Sequence, residues 1–402
     1  MKKLQRPIAL FDTWNRHQNL MPLTATRPVG ALRLGITTIK EKWNPYSEHD
    51  VLFYSVDYLR EAYPLPDFEG VYLFVAGNVI PDDHLVDRIS ELKRGEGLRN
   101  EDEPLAFVGT PAEVEAYDFL SAPDYHDVVT IRYVYDLFLL NDSMICKDFA
   151  RLTTGRKSLP LSISNRVIGD YEDRDGNPLI FIEEGASVEG AVINLQNGPI
   201  YVGRDAQIME GALLRGPIAF CDNSKARMGA KIYGGTTIGP YCKVGGEIDN
   251  VLFLGYSNKA HDGYLGNAVI GEWCNIGAGV NASNLKNDYS KIRIWNYASR
   301  TFMKTDLQFC GLIMGDHSKA GINCMFNTAT VVGVGVNVHG SGFPRVILHS
   351  FMEGSPAGGF SQVTLKKFYD IAERAMSRRD MSLSEEQRRV YEKLYSDTTL
   401  IR

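Results

Sequence analysis

The stretch "VGRDAQIMEGALLRGPIAFCDNSKARMGAKIYGGTTIGPYCKV", residues 202–244, decides the fold. Stepping by six from Val202 meets Ile208, Leu214, Phe220, Ala226, Ile232, Ile238 and Val244, apolar at every step. A helix repeats its buried residues with a period near 3.6 and a half-buried strand with a period of about 2, so neither writes this pattern. A period of six fits a solenoid coil with flat faces, in which each face sends one side chain into a narrow core. Glycine and other small residues beside the inward positions let the chain turn a corner.

The same step recurs further on, in Met314, Ala320, Phe326, Val332 and Val338, and in the shorter pairs Ile182 with Val188 and Ile270 with Ile276. The pattern predicts a left-handed parallel β-helix over residues 179–342. Its register fails between 250 and 265 and again between 283 and 312, where the segment is too long for one face and reads as an excursion from the coil. From 343 to 402 the period is replaced by helical spacing: Leu365, Phe368, Ala372, Ala375 and Met376 share a face, and a serine precedes the acidic run "EEQ" as a cap candidate. A helical tail follows.

The amino-terminal part is written differently. "IALFD" (8–12), "VYLFVAGNV" (71–79) and "LAFVG" (105–109) are short apolar runs separated by helical patterns, one of them carrying Leu85, Ile89 and Leu92, another opening on Thr110 and Pro111 with Glu113. This predicts a Rossmann-like α/β domain over 1–155, with a linker at 156–178. Ligands of such sheets bind beyond the carboxyl ends of the strands, which directs attention to Asp12 and to Gly77-Asn78.

Composition narrows the function classes. With 43 Lys plus Arg against 49 Asp plus Glu, the net charge of -6 and the absence of a long basic run argue against nucleic acid or an anionic membrane as partner. The opening "MKKLQRPIALFDTW" is too broken by Arg6, Pro7 and Asp12 to be a signal peptide or a membrane span, so a cytoplasmic location is expected. The six cysteines are scattered without a C-x-x-C pair, which reads as buried thiols rather than a zinc site or a disulfide framework.

One window among the coils holds polar residues in quantity. "KAHDGYLGNAVIGEWCNIGAG", residues 259–279, resembles the acetyltransferase half of the GlmU-like bifunctional family, which makes UDP-N-acetylglucosamine, and within it a shorter, divergent bacterial branch. In that family a Lys-Ala-Gly-His and Tyr-Leu-Gly stretch is followed by Ile-Gly and Asn-Ile-Gly-Ala-Gly. The resemblance implies His261 as catalytic base and Glu247 as the acid that orients it. It implies Tyr264, Asn275 and Lys231 as substrate contacts, and Asn284, His317 and Lys319 near acyl-coenzyme A. It further implies acetyl-coenzyme A or another acyl-coenzyme A as donor, an amino-sugar phosphate as acceptor, and a homotrimer. Two positions depart from the family: Asp249 stands where a second substrate lysine is found, and Leu285 where a tyrosine is. A different sugar from glucosamine 1-phosphate is therefore expected. The chemistry agrees with the residue types, since acetylating an amine requires a base and a neutral imidazole is suited to take the proton.

"LMPLTATRPVGALRLGI", residues 20–36, is similar to part of a nucleotidyltransferase signature, which implies Thr24, Arg27 and Arg33 as nucleotide contacts. The glycine-rich loop that would wrap a triphosphate is replaced by "FDTWNRHQN", the usual lysine is Val29, and the metal-binding aspartate is Asn78. Asp12 is then the candidate ligand for Mg²⁺ in a domain binding a nucleoside triphosphate. The readings in play are a two-domain sugar-phosphate transferase of cell-envelope metabolism, a nucleotidyltransferase with an inert β-helix, and a non-catalytic nucleotide-sugar scaffold.

Overall fold

In the computed structural model, which describes residues 2–66 and 70–397, the chain divides into two compact units. The first comprises residues up to Leu20, Thr26–Leu32 and Thr37–Tyr133; the second comprises Met21–Ala25, Arg33–Ile36 and everything from Val134.

The first unit is built on a five-stranded sheet. Ile8–Phe11 lies between Leu52–Tyr54 and Tyr72–Ala76, both parallel to it, and all four of its residues are buried. Glu103–Gly109 pairs antiparallel with Tyr72–Ala76, and Gly97–Asn100 antiparallel with Glu103–Gly109. The sheet is therefore mixed, with an antiparallel edge on a parallel centre. Its helices are short and well capped. Asp82 accepts from the Leu85 amide at 2.8 Å to start Asp83–Ser90, and Thr110 with Glu113 forms a capping box on Pro111–Ala116.

The second unit is a left-handed parallel β-helix with a helical tail. Rungs stack in register on three faces: Val202 on Phe220 on Ile238, Ile208 on Ala226 on Val244, and Leu214 on Ile232. All eight residues of the six-step series are buried, as are Met314, Ala320, Phe326, Val332 and Val338. Each Val, Leu, Ile, Phe or Met among them contributes about 1.5–3 kcal/mol on burial, so these inward columns are a main source of the prism's stability.

The register changes where the sequence pattern fails. Ile238 stacks on Phe253 and Phe253 on Ile270, steps of 15 and 17 residues in place of the 18 between Phe220 and Ile238. The shortening arises because Glu247–Gly255 and Tyr264–Glu272 run straight through a corner as nine-residue strands. Residues 283–312 leave the coil as expected, forming a hairpin of Arg293–Asn296 with Thr301–Lys304, and Cys310 returns by donating its amide to the Asn284 carbonyl.

One corner of the prism carries an aromatic ladder. Tyr241, Tyr256, Trp273 and His317 each take a left-handed backbone, φ 60, 54, 59 and 58°, and stack on one another in turn. The tail helices Leu365–Met376 and Glu385–Ser396 pack on its end: Phe368 and Tyr391 meet the His317 ring edge-on. Ser384 is the cap of the last helix. The six cysteines are all free thiols, and all but Cys146 are buried.

The helix Asp136–Thr153, which the repeat pattern left with the amino-terminal half, is part of this second unit. Its Asn141 is fully buried and bridges two segments: Oδ1 accepts from the Gly35 amide at 2.8 Å, and Nδ2 donates to the Gly235 carbonyl at 2.6 Å. Asp148 accepts from the Ile36 amide at 2.9 Å. Replacing Asn141 with alanine orphans two buried backbone groups and lowers stability by about 1–3 kcal/mol; denaturant titration reads this directly, and an unchanged midpoint would contradict the assignment.

Candidate functional site

The resemblance-based residues gather around one corner of the prism. On the face after it, Leu213, Lys231, Glu247 and Tyr264 stand one above another in consecutive rungs. On the face before it, Lys243, Asn258, Asn275 and Lys319 form a second column. Between the two columns, the short turn from Lys259 to Tyr264 carries His261 with an exposed side chain. Main-chain bonds fix the turn from both sides: the Glu247 amide donates to the Gly263 carbonyl at 3.2 Å, and the Gly279 amide to the Asp262 carbonyl at 2.9 Å. Glycine is required at 246, where φ is +74° and an added Cβ would lie 2.9 Å from the His261 carbonyl oxygen.

Tyr264 is the most firmly placed side chain of the group. Its hydroxyl accepts from Asn284 Nδ2 at 2.9 Å, its amide donates to Asn281 Oδ1 at 2.8 Å, and Asn284 Nδ2 also meets Asn267 Oδ1 at 2.8 Å. Asn284 thus closes on the tyrosine at the point where the hairpin excursion leaves the coil. Burial, and then the Asp249 carboxylate, push the Tyr264 hydroxyl upward, so it stays protonated at neutral pH. Asp249, half-buried, is raised by burial and by Glu247 on the same strand. Lys231 and Asn275 are exposed.

No ion pair forms between the His261 ring and the Glu247 carboxylate among the described residues, and Asn275 stands on the face across the corner from Glu247. Two further expectations are corrected. His317 is only 4% exposed, enclosed by Trp273, Phe368 and Tyr391. Lys319 donates to the carbonyls of Trp273 and His317 at 2.8 and 2.9 Å, and burial lowers its pKa to about 8. Both serve the packing of the aromatic ladder rather than facing a pyrophosphate.

In the first unit, Asp12 sits at the end of the central strand and is enclosed. Its Oδ2 accepts from the Ser55 hydroxyl at 2.7 Å and from the Val29 amide at 3.1 Å, while Gly77 leaves no room for a Cβ beside Oδ1. Burial pushes its pKa to about 6 against the opposing effects of Ser55, Val29 and Arg16. Among the described residues no three His, Cys, Asp or Glu side chains converge as a metal site. A carboxyl that is buried and already tied to the backbone does not fit a resident Mg²⁺, which needs an open octahedral shell. Thr24 is buried, and Arg33 donates to the Leu254 and Ile36 carbonyls, both within the second unit.

A cavity of about 190 Å³ opens beside Asn78, lined by Arg16, Glu103, Thr130 and Arg132 among others. Arg16 is 3% exposed; its Nη2 reaches Glu103 at 3.0 Å and the Pro104 carbonyl at 2.9 Å, while Nε and Nη1 have no partner. Asn78 donates to the Ile131 carbonyl at 2.8 Å, leaving a buried Oδ1 unpaired. Arg132 is held by Glu101 and Asn100. The only sequence signal for Arg16 is its place in "FDTWNRHQN", the segment that stands where a glycine-rich loop is missing.

Residues 8–157 match the family model described as a sugar nucleotidyl transferase. The bifunctional protein GlmU of Trichodesmium erythraeum (strain IMS101) is 24% identical over 186 residues, 46% of this chain and 34% of that protein, so the match spans about a third of the relative's length. Among solved structures, a variant of AntD, an N-acyltransferase from Bacillus cereus in complex with dTDP and coenzyme A, is 14% identical, covering 50% of this chain and 89% of that one with a TM-score of 0.22. An Arabidopsis UDP-N-acetylglucosamine acyltransferase is also 14% identical, covering 60% and 93% with a TM-score of 0.21. A hexapeptide transferase family protein from Anaplasma phagocytophilum is 13% identical, covering 54% and 93% with a TM-score of 0.20. The chain is thus similar to sugar nucleotidyl transferases over residues 8–157 and to a bifunctional GlmU over less than half of its length.

Proposed function

We propose that the prism transfers an acyl group from acyl-coenzyme A, acetyl-coenzyme A being the simplest donor, to the amine of an amino-sugar phosphate, with His261 as general base. The observation that carries this reading is an exposed imidazole on a corner, with Lys231, Glu247 and Tyr264 in one column beside it and Asn258 and Asn275 in the other. In the reaction the amine nitrogen attacks the thioester carbonyl, His261 takes the proton, the C–N bond forms and the C–S bond breaks, and coenzyme A leaves as its thiol or thiolate. Lys231 is the charge for the sugar phosphate, and Tyr264 and Asn284 present a fixed hydroxyl-amide pair to the acceptor. Asp249 beside Tyr264 favours a sugar with a hydroxyl or ammonium at that position over a second phosphate.

A homotrimer completes this reading. His261 and Glu247 form no ion pair among the described residues, and a corner that carries its polar groups on two separate faces is suited to a groove shared by two prisms. The acyl donor then lies in that groove, and the activity belongs to cytoplasmic supply of nucleotide sugars for the envelope.

A second reading concerns the first unit. The unpartnered Nε and Nη1 of buried Arg16 favour an anionic, nucleotide-like ligand in that cavity, with the adjacent Asn78 Oδ1 as acceptor for a donor group of the same ligand, bound without a metal held by Asp12.

His261→Ala is expected to lower the kcat of coenzyme A release by about 10²- to 10⁴-fold, with Tyr264→Phe milder; transfer at the wild-type rate in the His261 variant would sink the proposed base. Size-exclusion chromatography with light scattering should give three chains per particle, and a monomer at assay concentration would remove the shared groove. Arg16→Leu should weaken nucleoside triphosphate binding in EDTA by tenfold or more, the equivalent of about 1.5–3 kcal/mol for hydrogen bonds to a charged group. Equal calorimetric affinities for wild type and variant would contradict the cavity assignment.

A further inference from the structure

Lys259 stands where the coil elsewhere carries an apolar side chain. It pairs with Val244, so its column runs Ile208, Ala226, Val244, Lys259, and it continues beyond the next rung into Ala320 and Val338. The residue is fully buried. Burial of an ammonium is costly, and an apolar residue of similar length would fill the column and pack with its neighbours. What the lysine gains is two acceptors: Nζ reaches the Asp262 carbonyl at 3.1 Å and the His261 carbonyl at 2.5 Å. These belong to the base itself and to the residue after it. The other bonds to the turn come from the amides of Gly245, Glu247 and Gly279 in neighbouring rungs and from the side chain of exposed Asn281, which accepts from the Tyr264 amide.

We infer that Lys259 is a positioning residue, which holds the two carbonyls of the His261–Asp262 turn from within the core and so sets the direction in which the imidazole leaves the corner. The inference rests on the acyl-transfer reading of that corner. Burial, opposed by the charge of Asp262, lowers the lysine's pKa to about 8, so it is largely an ammonium at neutral pH and a strong donor to both carbonyls. The arrangement sets function against stability. A methionine at 259 would relieve the buried charge and fill the same space, yet release the turn.

The test uses the full-length protein carrying Lys259→Met, with Lys259→Arg as a second variant that keeps the cation. Three readouts separate positioning from packing. The thermal midpoint of Lys259→Met should be equal to or above that of the wild type. Amide hydrogen exchange should quicken in peptides covering 259–264 and stay unchanged in those covering 202–244. The kcat for coenzyme A release should fall by about 10²-fold, the scale of a displaced catalytic group, while KM for acetyl-coenzyme A changes less than threefold. Lys259→Arg should recover part of that loss. Unchanged exchange in the turn, or an unchanged kcat in Lys259→Met, would overturn the inference, and so would a loss confined to KM. Wild-type protein that releases no coenzyme A with any amino-sugar phosphate would instead count against the acyl-transfer reading, and the exchange measurement would still decide whether Lys259 anchors the turn.

Discussion

Everything in the carboxyl-terminal unit depends on rung-on-rung stacking of inward side chains. Because Val202, Phe220 and Ile238 lie directly above one another, outward residues at equivalent positions are also brought into columns, separated by the spacing of neighbouring strands. That constraint is what makes a site possible on a repetitive scaffold. Lys231, Glu247 and Tyr264 are 16 and 17 residues apart in the chain and become immediate neighbours without any loop to bring them together. The apolar core therefore supplies rigidity and geometry at once, and a polar group placed on any outward position inherits both.

The site appears where that regularity is broken. The coil shortens around residues 250–265, two long strands run through a corner, and a lysine replaces an apolar residue in the inward column. Each of these departures lowers the intrinsic quality of the prism. Together they produce a turn that a regular hexapeptide coil would not have, and that turn carries His261. The excursion at 283–312 is of the same kind, since it leaves the coil at Asn284, the residue that holds the Tyr264 hydroxyl.

Much of this was legible in the sequence because a solenoid makes tertiary structure nearly local. The six-residue step named the buried residues individually, and its two failures marked the shortened coil and the hairpin. Caps at Thr110 and Ser384 were likewise readable, since they depend on residues three apart. What depends on distant segments was not. His317 and Lys319 follow the local pattern of outward residues, yet the first is covered by the tail helices and the second turns back to backbone carbonyls. Asp12 reads as an exposed carboxylate at a strand end, but Ser55 and the Val29 amide enclose it. Arg16 gave no periodic signal, because its burial depends on Glu103 and Pro104 in a strand far along the chain. The association of Asp136–Thr153 with the prism rests on Asn141 meeting Gly35 and Gly235, three points that no local window contains.

The central claim is that the acyl donor lies along the prism corner at His261, and photo-crosslinking tests it most directly. An acyl-coenzyme A analogue with a photoreactive acyl group, irradiated with the protein and followed by peptide mapping, should label peptides from 257–284 and lose that labelling to competition by acetyl-coenzyme A. Label confined to peptides of the first unit, around Arg16 and Asn78, would contradict the account.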